Sequence, residues 1–347
     1  MCQRPAMSHP LPALQAIAVS QVYGPPSQGL NRAMAWLGRR RRSGIRALDR
    51  VDLRIERGQV LGLVGESGCG KSTLARILAG IRRPTSGEVH IDGVEIGSLT
   101  GAKAVTAKLR TQMIFQDPYA SLNPRMRVAE IIAEAPRLHG LIRGSESAFV
   151  DQALERTGLD PSFKHRFPHQ FSGGQRQRVV IARALAVSPE VLVCDEPVSA
   201  LDVSIQAQVL NLFQDLREQL GLSYLFISHD LGVVQHVSDR VAIMYLGRIV
   251  EEAPTQEIFH RPNHPYTQAL LAETPRIALE PRQFTPIVGE MPSPANPPPG
   301  CHFHPRCPHA MAICRTSPPA LQAVAPGHAS ACHLNDLTRS PNLENPT

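Results

Sequence analysis

The chain reads as an α/β protein organised around a phosphate loop, and three observations say so. Gly65-Glu66-Ser67-Gly68-Cys69-Gly70-Lys71-Ser72-Thr73 follows the apolar run 60–64 and precedes the helical pattern 74–80, the strand, loop and helix order that such a loop requires. Apolar strands recur at 112–116, 191–194 and 223–227, each running into polar residues, and ligands of an α/β sheet collect at the carboxyl ends of its strands. Between the first two of these strands, 128–186 has mostly helical spacing, so a helical subdomain is inserted into the sheet.

The loop states its own chemistry. Its three glycines let consecutive backbone N–H groups turn inward, and the helix behind adds its positive dipole end. A triphosphate fits there, with Lys71 reaching the terminal phosphates and the Ser72 hydroxyl a ligand for Mg²⁺. A thiol at Cys69 is expected to be partly exposed in the empty loop and shielded by nucleotide.

Taken in order, residues 1–13 read as a disordered leader and 14–22 as a first strand that ends at Tyr23. An aromatic at that mouth can stack on an adenine ring or simply finish an edge strand. Residues 25–44 form a basic insertion with Trp36 and the run Arg39 to Arg42. That run reads either as a solvated loop or as a contact for anionic headgroups or nucleic acid. Alternation over 47–55 gives a half-buried strand, and 88–93 gives a short strand and turn. Phe171-Ser172-Gly173-Gly174-Gln175 opens the helical run 179–186, so exposed N–H groups, a serine hydroxyl and a helix dipole make a second anion site. The strand at 191–194 delivers Asp195, suited to the Mg²⁺ shell, and Glu196, suited to act as a general base on water. Ser199 to Asp202 follow, then a helix over 203–220, a strand to Ser228-His229-Asp230, and a closing hairpin through 241–250.

Composition bounds the rest. At 347 residues and 42% apolar content one main domain with appendages is expected. No apolar run approaches the roughly 20 residues of a membrane helix. The patch at 11–19, broken by Pro12, is not read as a secretory signal. Seven cysteines in a chain read as cytosolic point to metals or packing before disulfides.

At this point the chain resembles the nucleotide-binding subunits of ATP-binding-cassette transporters over about 14–258. The phosphate loop, Gln116, Ser172 to Gln175, Asp195-Glu196, Ser199 to Asp202 and His229 stand in that family's order. Phe171 replaces a commoner leucine. The resemblance implies a RecA-like core with an antiparallel β subdomain and a helical subdomain at about 117–187. It implies a head-to-tail dimer in which Ser172 to Gln175 of one subunit close on ATP held by the other. Gln116 would then touch Mg²⁺ and the attacking water, His229 the γ-phosphate, Asp202 the opposite subunit and Tyr23 the adenine.

Two further stretches, 115–126 and His264-Pro265-Tyr266-Thr267 with the proline-rich 292–301, look like the ATPases of dipeptide, oligopeptide and nickel importers. That implies a peripheral motor on the cytoplasmic face of the inner membrane. Its partners would be permease subunits, a second and different ATPase chain and, indirectly, a solute-binding protein, with no nucleic acid. The alternative is an ATPase of the same type acting on nucleic acid or ribosomes, disfavoured by a single phosphate loop and the lack of long heptad runs. Residues 259–347 form a C-terminal extension in which Cys301, Cys307, Cys314 and Cys332 suit an iron–sulfur cluster. Zinc with help from His302, His304, His309 or His333, and plain reduced cysteines, stay open beside it.

Overall fold

The computed structural model describes residues 11–24, 44–273 and 289–338. The chain begins with β1 (Leu14–Tyr23), β2 (Ile45–Ile55), β3 (Val60–Val64), α1 (Lys71–Leu78), β4 (Ser86–Ile91), β5 (Val94–Glu95), α2 (Gly101–Leu109) and β6 (Thr111–Ile114). A four-stranded antiparallel sheet, ordered β2-β1-β4-β5, takes the alternating sequences. Leu48, Val51, Leu53 and Ile55 of β2 point inward while Arg50, Asp52 and Arg54 face out. Their partners in the core are Leu74 and Ile77 of α1, beneath the phosphate loop. Ala13, which reads as part of a disordered leader, is buried in this same cluster, whereas residues 1–10 lie outside the described residues.

The helical insertion holds α3 (Pro118–Ser121), α4 (Val128–Leu138), α5 (Glu146–Glu155) and α6 (Gly173–Leu185). Asp117 caps α3 by accepting from the Tyr119 N–H at 2.8 Å, which turns a segment that reads only as turn-rich into one helical turn. Val128, Ile131 and Ile132 of α4 bury one face, whereas α6 is buried nearly all round, with Val179, Val180, Ile181 and Ala182 in succession inside the core.

The second half returns through β7 (Val191–Asp195), α7 (Val203–Leu220), β8 (Ser223–Ile227), α8 (Leu231–Val237), β9 (Arg240–Tyr245) and β10 (Arg248–Pro254). Among the described residues the main sheet has eight strands in the order β11-β12-β10-β9-β3-β8-β7-β6. Here β11 (Gln322–Ala325) and β12 (His328–Ser330) come from the C-terminal extension. The strands β6, β7, β8, β3 and β9 run parallel. β3, β7 and β8 are buried at every position, as strands covered on both faces must be. The closing hairpin of β9 and β10 is therefore not an edge. The extension, which has no regular apolar pattern of its own, adds strands to that side and shares the core there through Phe303.

Candidate functional site

Sheet register assembles the site. Leu63 of β3 pairs with Ile227 of β8, Ile227 with Asp195 of β7, and Cys194 with Ile114 of β6. Neighbouring strands lie about 4.8 Å apart, so the residues that follow each carboxyl end emerge side by side. These are Gly65, His229, Glu196 and Gln116. A cavity of about 370 Å³ opens there, lined by Ser67, Gly68, Gly70, Lys71, Ser72, Thr73, Gln116, Glu196 and His229 with Ala47.

The loop holds its shape through its own backbone. Gly70 sits at φ +115°, and a methyl group there would stand 2.6 Å from the Ala47 carbonyl oxygen, so both conformation and space demand glycine. Lys71 is buried across the loop, where Nζ donates to the carbonyls of Gly65 at 2.7 Å and Glu66 at 3.0 Å. Ser72 Oγ donates to Asp195 Oδ1 at 3.1 Å. Burial pushes the Asp195 carboxyl up, the Ser72 hydrogen bond opposes that, and the neighbouring Glu196 charge adds to it. A hydroxyl beside a carboxylate is a hard-oxygen donor set, which fits Mg²⁺.

Glu196 is fixed from three directions. Its N–H donates to the Ile227 carbonyl at 3.0 Å, Gln116 Nε2 donates to its carboxylate at 2.7 Å, and His229 Nδ1 stands 3.2 Å from the same oxygen. Its φ is +51°, a left-handed conformation that costs a β-carbon residue about 1 kcal/mol and that gathers at working sites. A carboxylate so held, open to the cavity, can take a proton from a water placed there.

Tyr23 reaches the same region. Its hydroxyl lies 3.4 Å from Thr73 Oγ1, and the Arg82 guanidinium covers its ring at 4.9 Å. The insertion does not separate it from the loop, because Tyr23 pairs directly with Ile45 on the next strand. Trp36 and Arg39 to Arg42 lie outside the described residues.

Ser172, Gly173, Gly174 and Gln175 do not line the cavity. Ser172 Oγ accepts from the Gln175 N–H at 3.3 Å while Gln175 Oε1 accepts from the Ser172 N–H at 3.1 Å, a capping box that starts α6. A methyl group at Gly174 would meet Ile205 of α7 at 2.4 Å, so glycine lets this helix start press against the start of α7. Asp202, the N-cap residue of α7, is exposed with Ser172. Ser172 and Asp202 thus lie on the surface apart from the cavity.

Cys69 corrects an expectation. It is 1% exposed and packs in the core under the loop, and burial pushes its thiol up. Its side chain lies in that core and does not line the cavity. Burial likewise raises the thiols of Cys301 and Cys307, and that of Cys332 to about 11. His304 and His333 are engaged by the Cys301 and Ser317 carbonyls. Among the described residues no group of three or more His, Cys, Asp or Glu side chains is arranged to hold a metal, so neither the iron–sulfur nor the zinc expectation has a geometric basis.

Sequence reasoning missed the residues that approach the loop from the extension. The Tyr266 hydroxyl accepts from the Glu66 N–H at 3.0 Å, and Arg306 pairs with the Glu66 carboxylate at 2.8 Å. His264-Pro265-Tyr266 was a visible signal without a partner, and nothing local ties position 306 to position 66.

Residues 48–199 match the family model described as ABC transporter, and 250–314 match the one described as oligopeptide/dipeptide transporter, C-terminal region. The oligopeptide transport ATP-binding protein AppF of Bacillus subtilis is 49% identical over 303 residues, covering 86% of this chain and 92% of its own. A putative peptide import ATP-binding protein of Brucella abortus is 54% identical over 304 residues, covering 86% and 90%. Among solved structures, a dimeric post-hydrolysis ATP-binding cassette bound to ADP and Pi superimposes with a TM-score of 0.58 at 27% identity, covering 70% of this chain and 98% of that one. CbiO1 of Clostridium perfringens, part of an ABC transporter complex, gives 0.58 at 26% identity, covering 72% and 92%.

Proposed function

This chain belongs to the family of ABC transporter ATP-binding proteins, and we propose that it is the ATP-hydrolysing motor of an importer for short peptides. The observation that carries the reading is one cavity in which the phosphate loop meets Gln116, Glu196 and His229. ATP, when bound, supplies the phosphoryl group under attack, and Mg²⁺ neutralises charge on its oxygens.

The chain's own residues do the rest in this reading. The loop from Gly65 to Thr73 cradles the phosphates with its N–H groups and Lys71. Ser72 and Asp195, with Gln116 nearby, hold the metal. Glu196 takes the proton of the attacking water, and His229 orients that water and the terminal phosphate. Tyr23 offers a ring face to adenine. Ser172 to Gln175 and Asp202 act on the site of an opposing subunit, a role supported by the exposure of Ser172 and Asp202 away from the cavity and by the dimeric form of a solved relative.

The partners in this reading are membrane permease subunits, a second ATPase chain that differs from this one, and an external solute-binding protein that acts through the permease. The division into an ATPase domain over 14–258 and an extension over 259–347 belongs to the same reading. Among the described residues no helix is long and apolar enough to cross a membrane, which suits a peripheral subunit on the cytoplasmic face of the inner membrane. An iron–sulfur cluster on the four tail cysteines has only their number in its favour. Iron analysis of anaerobically purified protein decides it.

The test is Glu196→Gln in the full chain with its partner ATPase. MgATP binding is retained, hydrolysis slows by about 10² or more, and an ATP-dependent dimer persists on a sizing column. Hydrolysis within a few-fold of wild type removes Glu196 from the base role. Uptake of labelled short peptides by cells lacking the chain returns with wild type and not with Glu196→Gln. Intact peptide uptake in the deletion strain refutes the substrate class.

A further inference from the structure

Glu66 is an awkward residue for its position. It stands second in a loop built to receive a polyanion, and a bare carboxylate there would repel the ligand that the loop attracts. In the structure all three of its polar groups are engaged. The N–H donates to the Tyr266 hydroxyl at 3.0 Å, the carbonyl accepts from Lys71 at 3.0 Å, and the carboxylate accepts from Arg306 Nη1 at 2.8 and 3.1 Å. Glu66 does not line the phosphate cavity, although Ser67 beside it does.

The other side of the pair is built to last. Arg306 is 6% exposed at its side chain, against 25% for Glu66, and its Nη1 also reaches the Tyr245 hydroxyl at 3.4 Å. Tyr245 packs on Tyr266 with ring centroids 4.7 Å apart, and Phe303 closes on both at 5.3 and 5.4 Å. An ion pair shielded in this way is screened less by water and salt than one on the surface. Met291 approaches the same loop, within 3.6 Å of where a methyl group on Gly68 would stand. The extension thus braces the outer side of the phosphate loop across 240 positions of sequence.

We propose that Arg306 is a positioning residue for nucleotide binding, whose guanidinium holds the Glu66 carboxylate turned out of the phosphate cavity and cancels its charge. The proposal rests on the reading of this cavity as the ATP site. Its consequence is a defect of a particular kind. Without Arg306, an uncompensated negative charge stands beside the phosphates, so ATP loses more affinity than the less charged ADP, and added salt reduces the loss.

The experiment measures equilibrium binding of MgATP and MgADP to the full chain by calorimetry at low and high ionic strength. Arg306→Gln, which keeps the reach and hydrogen-bonding capacity without the charge, weakens MgATP binding by about 5- to 10-fold and MgADP binding by less. Arg306→Lys retains most of the affinity. The double variant Arg306→Gln with Glu66→Gln binds within about twofold of wild type, because the charge to be cancelled is gone. An Arg306→Gln protein that melts like wild type and binds ATP equally well overturns the proposal, as does a double variant as weak as the single one. Lys71→Ala separates the premise: if it binds MgATP as tightly as wild type, the cavity is not the ATP site. If it does not, and Arg306→Gln is silent, only the positioning role falls.

Discussion

At the scale of single residues, the site is set by which atoms are hidden and which face the cavity. Cys69 lies inside the phosphate loop in sequence and inside the core in space, 1% exposed. Alkylation of Cys69 should therefore be slow even in the empty loop, since access follows opening of the core and burial keeps the thiol protonated. Mass-spectrometric labelling rates check this. Fast labelling that MgATP blocks would show the thiol facing the phosphates. Glu196 shows the opposite case, a residue whose proposed role is visible in sequence and whose placement comes from φ +51° and from partners on two other strands' ends.

At the scale of elements, α9 (Thr255–His260) and α10 (Pro265–Ala272) carry the extension onto the main sheet. His264 caps α10, its Nδ1 accepting from the Tyr266 N–H at 3.0 Å. That cap requires neutral imidazole. Complete burial lowers the His264 pKa from 6.5 to about 4, against a weaker upward pull from the Ala331 carbonyl. The unfolded chain then binds the proton first, so stability is full above about pH 6.5 and is lost as pH falls toward 4, by about 3 kcal/mol. His302, also lowered to about 4 by burial, titrates in the same window. Melting temperature and hydrogen-exchange protection at 265–272, followed from pH 7 to 4.5, should fall together, and His264→Asn should flatten part of the slope while keeping a capping acceptor. An unchanged slope in that variant would mean that His264 is not the group that titrates.

Over the whole molecule, the extension and the ATPase fold share one core. Glu251 of β10 is wholly buried, and it accepts from the Asn263 and His264 N–H groups and pairs with His328 of β12 at 2.7 Å. Phe303 fills the space between Tyr245 and Tyr266. Phe303→Ala should lower unfolding stability by about 3–5 kcal/mol, read as a drop in the denaturant midpoint of the full chain. An unchanged midpoint would mean that the extension folds independently of the sheet.

Local patterns alone determined a great deal about this protein. The phosphate loop in its strand and helix, the Ser172 cap, the bounds of the helix over 203–220 and the hairpin after 240 depend on residues a few positions apart, where propensity, capping and periodicity act. The chemical identity of the site residues was legible for the same reason. Only the tertiary structure decided where they meet. Parallel register brings Gln116, Glu196 and His229 to one edge, antiparallel pairing of the smaller sheet brings Tyr23 to Thr73 despite the insertion between its strand and the next, and packing of the extension brings Arg306 to Glu66. Tertiary packing also turned Cys69 inward and buried the Glu251 carboxylate against His328. Such contacts join positions tens to hundreds of residues apart, and their energy comes from burial and charge pairing in an environment that no short window of sequence contains.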